Sequence, residues 1–256
     1  MDYTPMHGIG NSYVIINGDL YDPSAESVRL SQEYGTDGII LVLPSQQCDV
    51  KMRIFNADGS EAEMCGNGSR CVARYVVDKG IVDKDCITLE TNAGVKKLYP
   101  IKENGNVISV KVDMGISEVM DDIAVSACGK NWHGTVASMG NPHFVVFCDD
   151  ISLLDLESIG PVIEHSRCFP NRVNTEFSEI LSRTHLKMRV WERGSGETAA
   201  CGTGACALAA VAVAKGYCDP DTDITVTLAK GDLVIRVCSD RRVYMTGKAE
   251  YCNTVD

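Results

Sequence analysis

The chain has 256 residues, 45% of them apolar and 23% charged, and a formal net charge of −11. That size and mix describe a globule with one large or two modest cores. The acidic balance argues against nucleic acid and anionic membrane as partners. The apolar runs at 39–44 and 207–214 are too short to span a bilayer, and residues 1–10 are polar and glycine-broken; a soluble, cytoplasmic protein is expected.

In chain order, alternating and β-branched residues predict a strand at 13–16. A helix is expected at 24–34, with Ser24 as its N-cap. Strands follow at 39–43 and 50–55, then a helix over 68–79 closed by Gly80. After a strand at 107–112, a linker is expected within 115–125. The second half reads as strands at 144–147 and 186–191 and a helix over 204–215 closed by Gly216. Strands at 224–228 and 233–237 complete the reading.

An internal repeat organises these elements. Lys51-Met52-Arg53-Ile54-Phe55 recurs as Lys187-Met188-Arg189-Val190-Trp191. Glu61 matches Glu197, Cys65 matches Cys201, and Gly66-Asn67-Gly68 matches Gly202-Thr203-Gly204, all at an offset of 136 without gaps. That period is too long for a solenoid and fits a duplicated domain. Met6-His7-Gly8-Ile9-Gly10-Asn11 is loosely echoed by Ser138-Met139-Gly140-Asn141 at a slightly different offset. Each half reads as strand, glycine-rich loop, cysteine, helix. Neither loop has the Gly-Lys-Ser/Thr ending of a phosphate loop.

The chain has twelve cysteines and no Cys-x2-Cys pair, so neither a disulfide framework nor a common zinc site is expected. Cys48, Cys86, Cys148, Cys218 and Cys238 read as reduced packing thiols, and Cys71 and Cys206 as helix residues that pack. Cys65 and Cys201 differ, because each precedes a helix. A helix N-terminus offers unpaired N–H groups and a positive dipole end, which lowers a thiol's pKa and binds carboxylates. Two such turns facing one cleft would suit proton removal and return at a carbon next to a carboxylate. The barrier is steep: an amino acid α-carbon is a weaker acid than a thiol by on the order of 10–20 pKa units, or ~14–27 kcal/mol. No lysine environment suited to a Schiff base stands out, so the expected site works without cofactor, by water exclusion, paired helix ends and a placed base. The rival use of two close cysteines is a reversible disulfide.

Several segments together resemble the diaminopimelate epimerase family. They are Phe55-Asn56-Ala57-Asp58-Gly59-Ser60-Glu61, Met64-Cys65-Gly66-Asn67-Gly68, Met139-Gly140-Asn141-Pro142-His143, Arg172-Val173-Asn174, Trp191-Glu192-Arg193-Gly194-Ser195-Gly196-Glu197-Thr198, Ala200-Cys201-Gly202-Thr203-Gly204 and Tyr244-Met245-Thr246-Gly247. Met6-His7-Gly8-Ile9-Gly10-Asn11 belongs with them, and the resemblance covers nearly the whole chain. It implies an α+β fold of two pseudo-symmetric domains, each a mostly antiparallel sheet curled around a central helix, with the active site in the cleft between them. The expected halves are 1–116 with the tail 247–256, carrying Cys65, and 117–246, carrying Cys201.

The resemblance further implies a homodimer without pyridoxal phosphate or metal, interconverting LL- and meso-diaminopimelate. Cys65 and Cys201 would be the acid/base pair. Gly66, Asn67, Gly202 and Thr203 would hold the reacting carboxylate through backbone N–H groups. Asn11, Asn56, Asn141, Asn174, Glu192 and Arg193 would hold the substrate, chiefly its distal amino acid end. His143 and Glu192 would tune the thiols. The residues agree with this chemistry, since a zwitterionic distal end needs both a cation and an anion, which Arg193 and Glu192 supply. Taken singly, each asparagine also suits a turn.

Three departures stand out. The family usually has Asn-Asp-Phe where this chain has Asn11-Ser12-Tyr13. A pocket loop is shortened here to Glu33-Tyr34-Gly35-Thr36-Asp37-Gly38. The tail 248–256 lacks the tyrosine position used at the family's dimer contact. The competing readings are a racemase or epimerase for another amino acid, such as histidine or lanthionine, and a non-catalytic amino acid binding or thiol-switch protein.

Overall fold

The computed structural model describes residues 3–252, which fall into two compact units. One runs to Asp113 and takes in the chain again from Thr246; the other is Met114–Met245.

The first unit begins with an antiparallel hairpin, β1 (Tyr3–Gly8) and β2 (Asn11–Asn17). Helix α1 (Pro23–Tyr34) then crosses over to β3 (Gly38–Leu43), which pairs parallel with β2. Strands β4 (Val50–Asn56) and β5 (Glu61–Ala62) follow antiparallel. Helix α2 (Gly66–Asp78) makes a second crossover, to β6 (Ile87–Thr91), parallel with β4. Strands β7 (Gly94–Glu103) and β8 (Asn106–Ile116) extend the meander, and β18 (Glu250–Tyr251) returns against β1.

The second unit repeats this plan. Strands β9 (Glu118–Ala127), β10 (Lys130–Ser138) and β11 (Pro142–Phe147) run antiparallel. Helix α3 (Leu156–Glu164) crosses to β12 (Asn174–Ser182), parallel with β11. Strands β13 (His185–Glu192) and β14 (Gly196–Thr198) follow antiparallel, and helix α4 (Gly202–Ala214) crosses to β15 (Asp223–Leu228), parallel with β13. Strand β16 (Gly231–Val237) pairs back on β15, and β17 (Arg242–Gly247) leads out. Both units are therefore mixed sheets, antiparallel except at two helical crossovers each.

The apolar patterns explain the layers. Strand β3 reads Gly-Ile-Ile-Leu-Val-Leu because helices cover both its faces. Ile39 and Leu41 pack with Leu30 of α1, while Ile40 reaches the first turn of α2 at Gly68. In the second unit Trp132, Phe144, Phe177, Trp191, Ile159 and Ile163 form the core beneath α3. Helix α4, Gly-Thr-Gly-Ala-Cys-Ala-Leu-Ala-Ala-Val-Ala-Val-Ala, is apolar on all sides and buried from Gly204 to Ala212. It packs against β9 to β13, β15 and β16, the position of a central helix.

The duplication extends to an ion pair beside each cysteine turn. Arg53 grips Glu61 through two parallel bonds of 2.8 and 2.9 Å, and Arg189 grips Glu197 at 2.8 and 3.0 Å. Partly exposed pairs contribute under about 1 kcal/mol each. Their main effect is to pin the short strand after β4 or β13 in register just before each cysteine.

Some expectations are corrected. Asp22, not Ser24, caps α1 by accepting from the Ala25 N–H at 3.1 Å, with Pro23 opening the helix. The helices expected to begin at Gly68 and Gly204 begin two residues earlier, making Cys65 and Cys201 their N-caps. The segment read as a linker, 115–125, is strand over most of its length, in β8 and β9. Cys71 and Cys206 are fully buried as expected. Part of the tail, 253–256, lies outside the described residues. No helix among the described residues is long and apolar enough to cross a membrane.

Candidate active site

Each unit carries one cysteine site, built at the N-terminus of its second crossover helix. In the first, Cys65 is extended (φ −137°, ψ 124°) and its Sγ accepts from the Gly68 N–H at 3.4 Å. The Tyr13 hydroxyl donates to the same sulfur at 3.2 Å. Gly68 packs closely: a Cβ there would lie 2.8 Å from Ile40 Cδ1, the movable end of an apolar side chain. Asn67, buried at the second helical position, donates from Nδ2 to Asn11 Oδ1 at 2.6 Å and to the Ile9 carbonyl at 3.0 Å. Asn11, Cys65, Gly66 and Asn67 are thus assembled around one helix end.

Two departures from the family pattern meet here. Asp37, in the shortened loop, accepts from the Ser12 backbone N–H at 2.8 Å and from its hydroxyl at 3.3 Å, while its own N–H donates to the Ser12 carbonyl at 2.9 Å. Asn56 spends Nδ2 on Ser60 Oγ at 3.0 Å within the tight turn 56–60. Its N–H donates to the Ser60 carbonyl at 2.8 Å. The turn role open to any asparagine is the one Asn56 plays in this structure.

In the second unit, Cys201 is again extended (φ −125°, ψ 110°), buried, and 3.6 Å from the Thr203 hydroxyl. Asn141 donates from Nδ2 to Thr203 Oγ1 at 3.3 Å, which leaves its Oδ1 to accept from His143 Nε2 at 3.0 Å. His143 Nδ1 lies 2.7 Å from Glu176 Oε1, and both side chains are fully buried. Nε2 therefore carries a hydrogen, and Nδ1 and Glu176 share one proton. Burial raises the Glu176 pKa, partly offset by His143. A chain of four side chains thus runs from Glu176 to the Cys201 thiol.

The thiol electrostatics correct one expectation. A helix N-terminus was expected to lower the cysteine pKa, but Cys201 is pushed well above the ordinary value. Burial is the largest cause, followed by Glu192 and Glu176; Thr203 and the Gly204 N–H oppose them only in part. Desolvation and two carboxylates outweigh the helix end.

The remaining predicted residues of the second unit are tied together by hydrogen bonds and loop contacts. Asn174 donates from Nδ2 to the Pro142 carbonyl and accepts the Arg193 N–H on Oδ1, both at 2.9 Å. Its amide thereby holds the loops that carry Asn141 and Arg193. Glu192 accepts from the Thr198 hydroxyl. Arg193 is exposed, donates to the Asn171 carbonyl at 3.1 Å, and lines a cavity of about 460 Å³ with Asn141 and Arg172.

Three residues escaped the sequence reading. Glu176 and Tyr13 sit on strands whose helix contacts are non-local. Glu164, at the end of α3, accepts from Trp191 Nε1 at 2.7 Å, the Gly194 N–H at 2.9 Å and Arg172 at 3.3 Å, fixing the turn that presents Glu192 and Arg193. Nothing in the sequence singles out Glu176, because its strand reads Asn-Thr-Glu-Phe-Ser-Glu-Ile-Leu-Ser and carries a second glutamate at Glu179.

The diaminopimelate epimerase family model matches residues 3–120 and 135–252. Among curated relatives, the diaminopimelate epimerase of Agathobacter rectalis is 46% identical, covering 97% of this chain and 96% of that protein. The enzyme of the same name from Desulfovibrio desulfuricans is 47% identical, covering 96% and 94%. Solved structures share the fold at lower identity. A predicted epimerase from Pseudomonas aeruginosa superposes with a TM-score of 0.76 at 16% identity, covering 98% of this chain and 96% of that one. A phenazine biosynthesis protein of the PhzF family from Bacillus anthracis gives 0.75 at 18%, covering 98% and 97%. The repeated cysteine turns, the paired mixed sheets and these matches agree: the chain belongs to the diaminopimelate epimerase family.

Proposed function

We propose that this chain inverts an amino acid α-carbon with two cysteines, converting LL-diaminopimelate to meso-diaminopimelate in lysine and peptidoglycan-precursor synthesis. One observation carries the reading. Equivalent N-cap cysteines stand at the helix ends of two repeated halves, in a chain 46% identical to a curated diaminopimelate epimerase over nearly its full length. Assembly as a homodimer in the cytoplasm belongs to the same reading.

The chemistry follows from the half-sites. First-turn amides of a helix lack intrahelical acceptors, so Gly66, Asn67, Gly202 and Thr203 can hold the reacting carboxylate and the charge that builds on it as the α-proton leaves. One sulfur removes that proton as thiolate while the other, as thiol, protonates the opposite face. Cys201 is suited to the thiol role at neutral pH, because burial and two carboxylates disfavour its anion. Arg193 and Glu192 offer the cation and anion that a distal zwitterion needs.

The test is α-proton exchange in deuterated water, followed by NMR on LL-diaminopimelate beside histidine and lanthionine. Exchange with inversion on diaminopimelate supports the reading. Exchange only on another amino acid would keep the chemistry and replace the substrate, with the Ser12–Asp37 link as the first place to look. Cys65→Ala and Cys201→Ala should each abolish inversion; inversion at the native rate in either variant rules out the two-base scheme.

A further inference from the structure

The two halves can be superposed residue by residue through their strand registers. Val14 pairs with Ile39 as Phe144 pairs with Thr175, and Ile39 pairs with Phe55 as Thr175 pairs with Trp191. On this register Asn11 corresponds to Asn141, and the Asn11–Asn67 bond to the Asn141–Thr203 bond. Tyr13 then occupies the place of His143, and Ile40 the place of Glu176. Where the second half reaches its cysteine through His143, Asn141 and Thr203, the first half places a phenol directly on the sulfur.

That contact is built in. Tyr13 is buried on β2 and its hydroxyl lies 3.2 Å from Cys65 Sγ, while the Gly68 N–H approaches the same sulfur at 3.4 Å. With two donors directed at the sulfur, a proton on Cys65 is confined to the remaining directions. The geometry points to Tyr13 as a positioning residue for Cys65: its hydroxyl steadies the sulfur as it takes up the α-proton and orients the S–H that gives one back. The inference rests on the reading of Cys65 as an acid/base.

The phenol is suited to remain a donor. Burial, then Cys65, then Asp37 and Cys71 push its pKa far above the ordinary tyrosine value, so it keeps its proton throughout the neutral range. Asp37 faces it from the loop before β3 and Cys71 from α2. Arg70, next along the helix, donates to the Gly8 and Lys248 carbonyls.

The test replaces Tyr13 by Phe, which keeps the ring and removes the donor, and by 3-fluoro- and 3,5-difluorotyrosine, which strengthen it. Two quantities are read: iodoacetamide alkylation of Cys65 at neutral pH, followed peptide by peptide, and kcat and KM for inversion. Losing one donor to a sulfur anion should slow alkylation about three- to tenfold, since nucleophilicity offsets about half of the lost anion. In Tyr13→Phe, kcat should fall with KM nearly unchanged, and the fluorinated series should grade with phenol acidity, which a merely structural ring would not do. Unchanged alkylation and kcat in Tyr13→Phe overturn the inference while leaving the two-base reading intact. If alkylation slows but protein fully alkylated at Cys65 still inverts substrate, Cys65 is not a base, and both fall.

Discussion

Adding one methyl group at Gly204 and at its counterpart Gly68 should have very different consequences. A Cβ at Gly204 would lie 2.7 Å from Glu176 Oε1 and 3.3 Å from Cys201 Cβ and Sγ. That oxygen is fully buried and already bound to His143 at 2.7 Å, so moving it breaks a charge-assisted bond. Overpacking costs about 1–3 kcal/mol and the broken bond about 1.5–3, against a helix-propensity gain of at most about 1. Gly204→Ala should therefore destabilise by about 1.5–6 kcal/mol. Displacing Cys201 should also cost on the order of a hundredfold in kcat, the usual result of misplacing a reacting group by about 1 Å. At Gly68 the methyl meets Ile40 Cδ1 at 2.8 Å, the rotatable end of an apolar chain, with Cys65 Cβ at 3.6 Å. Gly68→Ala should stay within about 1 kcal/mol of the native protein, because propensity offsets the local crowding. Urea unfolding gives the stabilities, and proton exchange on substrate gives the rates. Glu176→Ala in the Gly204→Ala background should cost clearly less than the two changes summed. Equal costs at Gly68 and Gly204, or strict additivity with Glu176→Ala, would refute the assignment of the clash.

Two other predictions use separate parts of the structure. Cys71 is buried and pushed up to about 12, chiefly by burial, so the unfolded chain releases this proton near pH 9 while the folded chain keeps it. Folding stability should fall as pH rises from about 9 towards 12, by roughly 3 kcal/mol from this group at pH 11, with Cys201 adding in the same direction. Urea midpoints between pH 8 and 11 test it, since Cys71→Ala should remove about one proton from the slope; an unchanged slope refutes the linkage. Arg193 is exposed at the cavity rim, so Arg193→Ala should change stability by less than about 0.5 kcal/mol. KM for diaminopimelate should rise on the order of 10- to 100-fold, with far less effect on an amino acid lacking the distal carboxylate. Equal losses on both substrates would give Arg193 a structural role.

What could be read from the sequence was whatever is local. Strands buried on both faces, such as 39–43 and 144–147, show as unbroken apolar runs. Exposed strands hide: β7 contains Lys96, Lys97 and Lys102, and β9 contains Glu118, Asp121 and Asp122, so their pairing is set by neighbours rather than by pattern. Helix α3 hides because Gly160 and Pro161 interrupt it; Gly160 is there since a Cβ would enter the Trp191 ring. The helix starts were missed by two residues because cysteine is not among the common capping residues, yet here it occupies the cap of both helices. The repeat revealed both cysteines, since a 136-residue offset needs no structure to be seen. Most of the environment of each sulfur did not show, because Tyr13 and Glu176 reach it from elsewhere in the fold; Glu192 was legible only through the family resemblance.

Those environments carry the deeper asymmetry. Duplication left both halves with the same scaffold: a clamped strand pair, an N-cap cysteine, a glycine at the third helical position and an amide-bearing side chain on the preceding hairpin. Divergence then acted at two positions behind each cysteine. Tyr13 and Ile40 stand in one half where His143 and Glu176 stand in the other. The first pair offers a hydroxyl donor and no charge. The second adds a carboxylate which, with Glu192, disfavours the Cys201 anion. A reaction that removes a proton on one face and returns it on the other needs one proton between two sulfurs, and two identical half-sites would leave its place undecided. The surroundings of Cys201 suit it to hold that proton, because burial, Glu192 and Glu176 all disfavour its anion. In the proposed reaction, the epimer that presents its α-hydrogen to Cys65 then needs its returning proton from Cys201, the thiol whose anion is disfavoured.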